Sequence, residues 1–505
     1  MRANRWLILF ILMTVGIGGY SLARSSQENS RRDESKKRAS DQETMIEALI
    51  NDARSVAPEF AADLLLQIAK SSLVKQDKKA GLVEEAFRLA SDAKYKIKRS
   101  ALPGSIVDTR SGYLARAFEL NLDALSLQTG AVKAMLPLDK SRARQLFNEI
   151  PQVQIPPLTC EEALIYSPDE YYDTLKEVAG KTFSGEERER GEQIFFIERQ
   201  ITSLSSPVQL GPMARAMMGI DLSSEHLQLL IDAFNERLKH VEGDNYSFAT
   251  TMMPLSSTID QLAKHCQNHG ISHAGLIESF RAYLIAHLNA ERCAGSISAR
   301  VEASYLKLFN GTLLPRYLPD KVTTLTINQD EIKPRRSAQK ARYDLYWESP
   351  KSKNILAKFR HLRFGSENNP VTESVKERPE WQVELSNFMT ELSDWRADQE
   401  RSESDYFHQK HVIYQALLEI VPTKSNRDNL IASYLSFLKE SGLKRESSIE
   451  WFLHARELID LYKSSTGQEH ARFSAALNND GDVVLRLYVT VEKLLPQSGL
   501  EAHKN

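Results

Sequence analysis

Three of the chain's twelve histidines stand within nine residues, at His265, His269 and His273, with Cys266 among them. On a helix His265 and His269 would share a face, so their imidazoles could take zinc or copper, with His273 or Cys266 as a third ligand. Gly270 and Ile271 oppose that arrangement. A glycine followed by an apolar residue is how many helices end, and an end there carries His273 onto the next helix. Histidines in a last turn also have a plain role, interacting with the terminal carbonyls. The expectation is therefore capping and surface roles for these four residues, with no metal and no cofactor.

Other candidate chemistry fails on a named part. Gly180-Lys181-Thr182 has the tail of a phosphate-binding loop, but the glycine needed five positions earlier is Leu175, and no apolar strand precedes it. Ser-x-x-Lys occurs at Ser72/Lys75, Ser91/Lys94 and Ser436/Lys439 without the partner motifs of a serine acyltransferase. Glu-Ser pairs at Glu278/Ser279, Glu373/Ser374, Glu440/Ser441 and Glu446/Ser447 lack the Gly-Leu-Met-Gln that follows the general-acid glutamate of lytic transglycosylases. The stretch Arg335 to Arg363, with Tyr343, Tyr346, Trp347 and Phe359 interleaved, has the composition of a single-strand nucleic-acid surface. A net charge of -2 over 505 residues weighs against a polyanion binder, so a solvated basic face with buried aromatics is expected and nucleic acid is not. No catalytic residue is assigned.

The compartment is set by the first two dozen residues. Met1, Arg2 and Arg5 precede the apolar run Trp6 to Tyr20, and Ser21-Leu22-Ala23 has the small residues that a signal peptidase reads, so cleavage after Ala23 and export to the periplasm or beyond are expected. The alternatives are an uncleaved anchor, which would tether the body to a membrane through Trp6 to Tyr20, and a buried N-terminal helix. In an oxidising compartment the three cysteines allow one disulfide. Were Cys266 and Cys293 on the two arms of a helical hairpin, Cys293 would lie about 33 Å from the turn and Cys266 about 8 Å, at a rise of about 1.5 Å per residue. Bridged Cα atoms must lie within about 7 Å, which leaves Cys160–Cys293 as the better pairing and three reduced, buried cysteines as the alternative.

The elements that must position any site are helices. Residues 24–43 carry six basic and five acidic side chains and almost no apolar ones, the composition of a disordered tether. From 44 to 150 apolar residues recur at helical spacing: Ala61, Leu64, Leu65 and Ile68; Val83, Ala86, Phe87 and Ala90; Leu114, Ala117, Phe118, Leu122 and Leu125. A proline-bearing extended connector, 151–159, leads into a middle helical domain (151–314), with one helix expected over about 184–204 and a break marked by Pro207 and Pro212. Residues 315–379 hold six of the 18 prolines and fourteen basic against eight acidic residues, and read as an irregular insert with a short strand at 322–327 and a helix near 352–363. Residues 380–505 form a C-terminal helical domain, whose last segment, 482–494, is read as a helix with a hairpin as the alternative. The fold class is all-α, a helical-hairpin array of solenoid or multi-bundle form.

The segments AADLLLQIA (61–69) and LVEEAFRLA (82–90) resemble each other, and region 44–150 resembles a tetratricopeptide-type array. In general appearance the chain also resembles exported bacterial proteins. The first resemblance implies a helical scaffold that binds other proteins and carries over no specific residue. The expected function is a non-catalytic scaffold for a protein partner in the cell envelope. The alternative is a hydrolase of envelope polymer, glycosidase-like, whose carboxylate pair comes from distant helices.

Overall fold

Short helices with one apolar stripe each bury it only by stacking on their neighbours. The computed structural model of the chain is an all-α array of such helices; it describes residues 40–101, 110–160, 162–288, 304–319, 350–365, 369–396, 403–421, 426–441, 448–465 and 467–494, with a few isolated positions between them. The leader, Ala23, most of the charged tether, Cys293, most of the expected strand at 322–327 and most of the basic aromatic stretch lie outside the described residues. The remnant Thr324–Thr326 forms no strand; both backbone groups of Leu325 bond instead to the side-chain amide of Asn310, at 2.7 and 2.8 Å.

Helices Ala124–Met135, Asp169–Lys181, Pro207–Met218 and Asn245–Asn268 pack on one another in succession as one row. A second row is formed by Glu192–Thr202, Ser224–His240 and Ala274–Leu288, each packed on the next. The array begins where the sequence shows its resembling stripes, with Pro58–Lys70 and Gln76–Ala90 packed on each other and both on Ala124–Met135, and continues through the middle region. Helix starts carry the chemistry that sequence asks of them. Asp123, Ser223 and Asp244 accept from Ser126 N, His226 N and Ser247 N, satisfying amides that the first turn leaves free. The stripe of Ser224–His240 is fully inside: Leu227, Leu230, Ile231, Phe234 and Leu238 have no exposed surface.

Several boundaries differ from expectation. The stripe read across Leu114 to Leu125 is two helices, because Asn121 turns left-handed at φ 57° and Asp123 starts a new helix. The single helix expected over 184–204 is broken at Gly191, whose φ of 75° no helix can contain. Pro207 occupies the first turn of its helix, where no amide is missed, whereas Pro212 lies inside the same helix and does not end it. A pair of three-residue strands, Arg99–Ala101 and Leu164–Tyr166, runs antiparallel with Ser100 opposite Ile165. The segment 482–494 is helical over Val483–Leu494, and 352–363 lies within helix Pro350–Phe364.

The C-terminal helices return to the N-terminal ones. Val483–Leu494 packs on Pro58–Lys70, and Ser448–Ser464 packs on Arg110–Phe118. Phe60 sits against Trp451, Phe452 and Tyr488, and Tyr488 Oη donates to Asp63 Oδ2 at 2.6 Å. Beside this seam, among the described residues, lie the buried polar side chains of His408, Gln409, Lys410, His411 and His454.

Candidate functional site

Helix Glu403–Ile420 has no solvent face along its middle: Tyr406, Phe407, His408, Gln409, Lys410 and His411 are all buried. A helix enclosed on every side is expected to be apolar throughout, and this one is not. His408 and His411, three residues apart, face His454 and Glu457, also three apart, on helix Ser448–Ser464. Tyr434 approaches from helix Asn426–Glu440, and Tyr113 and Arg116 from helix Arg110–Phe118. Four helices therefore meet at one group of side chains.

The geometry is close. The rings of His411 and His454 lie 3.4 Å apart, and Tyr113 stacks on His408 at 4.0 Å. His411 Nε2 is 2.7 Å from Glu457 Oε2, and His454 Nδ1 is 3.7 Å from the same oxygen. These three atoms are shielded from solvent, and none meets the strict geometry of a hydrogen bond, although Glu457 lies close enough to both rings to interact strongly with them. The other ring nitrogens are held. His411 Nδ1 meets the hydroxyl of Tyr434, and His454 Nε2 lies 2.8 Å from His408 Nδ1.

Burial fixes the charge states. It lowers the imidazolium of His411 below its usual range, against the pull of Glu457, and takes His454 down to about 3, with His411 adding to the effect. Burial would raise Glu457, but His411 and His454 outweigh it and hold the carboxyl well below the usual range. At neutral pH the group is two neutral imidazoles facing one carboxylate.

The opposite face of helix Glu403–Ile420 borders a cavity of about 510 Å³ lined by Arg396, Tyr406, Lys410, Tyr414, Ser436 and Glu440 among others. Lys410 Nζ donates to Ser393 O, Trp395 O and Tyr406 Oη at 3.0–3.1 Å, so it closes the C-terminus of helix Pro379–Asp394, where free carbonyls attract a cation. Burial, and next the charge of Arg396, take its ammonium down to about 7. Arg396 also donates to Ser393 O and Trp395 O, Tyr414 pairs with Ser433, and Ser436 donates to Glu440.

The four residues singled out from sequence lie elsewhere. His265 and Cys266 are in the last turn of helix Asn245–Asn268, His269 is its C-cap, and Gly270 follows at φ 69° with Ile271 N donating back to Cys266 O. His273 sits before helix Ala274–Leu288 and stacks edge-on against Tyr317. Cys266 is buried and free, and burial pushes its thiol up to about 11. Among the described residues, the group whose ligand atoms converge within 4.8 Å is His411, His454 and Glu457, and the His265 cluster forms none. Cys160 is disulfide-bonded. The expected partner, Cys293, lies outside the described residues.

The converging group was missed from sequence because its two halves are 46 residues apart, and each half is a two-residue pattern of the kind that arises by chance. The signal that could have found them is the pairing of His-x-x-His with His-x-x-Glu, the three-residue spacing by which facing helices present ligands to a bundle core. No family model matches the chain, and no curated protein matches it.

Proposed function

We propose that the protein is a non-catalytic binding scaffold of the cell envelope, acting on a protein partner outside the cytoplasmic membrane. The observation that carries this reading is the two-row array of hairpins, a form that offers long surfaces between successive helices. Its clefts support it. One of about 410 Å³ lies among helices Lys140–Glu149, Asp169–Lys181 and Glu192–Thr202, where Arg199 bonds Asn148 and Tyr171 bonds Gln200. A smaller one, about 150 Å³, is bordered by Asp169 and Arg215, which pair with each other. Arg199 with Asn148, Tyr171 with Gln200, Asp169 with Arg215, and Lys410 with Ser393 O and Trp395 O are paired within the protein, and each of these three clefts carries at most one carboxylate. A glycosidase-like hydrolase needs two, about 5–10 Å apart. The disulfide at Cys160 accords with an oxidising compartment.

The test uses the mature chain with a photo-crosslinking residue in place of Asn148, incubated with envelope extract. One defined protein should be crosslinked, and Arg199→Glu should abolish the product. Clearing of a sacculus suspension by the purified protein would replace the scaffold with the hydrolase. Export has its own readout: the isolated protein should begin at Arg24.

A further inference from the structure

We propose that His411 Nε2, His454 Nδ1 and Glu457 Oε2 bind one divalent first-row transition metal ion, with zinc as the reference ion, at the seam where the C-terminal helices meet helix Arg110–Phe118. The donor set, two imidazoles and a carboxylate, is one that zinc sites with an open fourth position use. Around a tetrahedral ion with ligands at about 2.0–2.1 Å, neighbouring donors stand about 3.4 Å apart. The two measured separations, 2.7 and 3.7 Å, bracket that value, so small ring rotations would seat an ion.

Three features set this group apart from a proton-sharing cluster. The converging atoms are buried and share no aligned hydrogen bond, a costly arrangement unless something binds them. The nitrogens pointing away are the ones that are held, His411 by Tyr434 and His454 by His408, as outer contacts do when they orient metal-bound imidazoles. The donors come from two facing helices, His411 from one and His454 with Glu457, three residues apart, from the other, as helix bundles present ligands to a metal in their core. Arg116, with its guanidinium 4.3 Å from the Tyr113 ring centroid, is the cationic group nearby. An anion or hydroxide in the fourth position would offset it. The Glu457 side chain is 32% exposed, which gives the ion a way in although both rings are enclosed.

A metal here would tie helix Glu403–Ile420 to helix Ser448–Ser464 and, through Tyr434, to helix Asn426–Glu440. Its role is to hold the closing end of the array, independently of what the clefts bind. The experiment strips the full mature chain with a chelator, adds zinc in excess, and counts metal per chain by native mass spectrometry after gel filtration. Cobalt in place of zinc reports the ligand set by its visible absorption. Wild type should retain one ion per chain, and Glu457→Gln and His411→Gln should retain none. Tyr434→Phe should stay folded by circular dichroism and bind about tenfold more weakly, because it removes only an orienting contact. A folded wild type that emerges without metal overturns the site, as does a folded Glu457→Gln that keeps its ion. Should both ligand variants fail to fold, an unchanged affinity in Tyr434→Phe overturns it.

Discussion

Two groups of histidines occupy opposite kinds of ground in this protein. At His265, His269 and His273 the rings are gathered around one helix end, where the backbone turns left-handed at Gly270 and Ser224 Oγ donates to His269 O at 2.8 Å. At His408, His411 and His454 they come from two facing helices, enclosed and held against Glu457 and Tyr434. The first group is close in sequence and serves a turn. The second is distant in sequence and shares a centre. Local density of ligand-type residues thus follows from how helices end, while convergence follows from how they face each other.

The contrast is sharpest under truncation. His454→Ala empties a fully enclosed site and strands Glu457 against His411, so it should cost about 3 kcal/mol, the range of a large buried side chain cut to alanine. His265→Ala, at the helix end, should cost under about 0.5 kcal/mol. Urea melts of both variants, run with chelator so that no ion contributes, measure the difference, and equal costs would erase the distinction between the two groups.

At the helix end the backbone rather than the imidazoles should carry the stability. Gly270→Ala places a Cβ in open space, with no atom within 4 Å, so its cost is conformational alone. With φ at 69° that cost should be about 1 kcal/mol, larger than for either neighbouring histidine. A melt in which Gly270→Ala is silent would mean that the turn is not held as described.

The seam offers a smaller, more specific test of whether the two ends of the chain form one cooperative body. Phe60 and Phe452 lie 5.0 Å apart, ring centre to ring centre, from helices far apart in sequence. A double-mutant cycle on Phe60→Leu and Phe452→Leu should return a coupling of about 0.5–1.5 kcal/mol. Zero coupling would show that the C-terminal helices unfold separately from the array.

How much of this was legible in the sequence follows from the range of each interaction. Leu227, Leu230, Ile231, Phe234 and Leu238 mark one helix face because the helical period is local, and all five are buried. Gly270 and Ile271 announce a helix end because the capping bonds span only a few residues. Asn121 and Gly191 were harder, since a left-handed residue inside an apolar stripe leaves the stripe intact on paper. The array's extent was obscured by its uneven spacing: first-row helices begin at Ala124, Asp169, Pro207 and Asn245, intervals of 45, 38 and 38 residues. The His411, His454 and Glu457 group was invisible for a stronger reason. Its donors are brought together by packing between three-dimensional neighbours, and no local rule says which helices those are.

Asp63 gives the mildest test, because hydrogen bonds from Tyr488 and Gln67 offset part of what burial costs its carboxylate. Burial raises its carboxyl above the usual range, while hydrogen bonds from Tyr488 and Gln67 pull it back. A group whose pKa is raised on folding favours the folded state below its unfolded value, and that contribution is lost as pH rises through the folded one. Relative to Asp63→Asn, which carries no titrating group, wild type should therefore lose stability as pH rises from about 4 through the raised folded value. Paired urea midpoints across that window measure the difference. A flat difference would mean that the carboxylate is accommodated at no cost, with Tyr488 and Gln67 compensating its burial in full. A difference that grows toward acid, with wild type weakening as pH falls, would place Asp63 among the ordinary stabilising carboxylates and make the Tyr488 contact, rather than aromatic packing around Phe60, the stronger tie between the two ends of the chain.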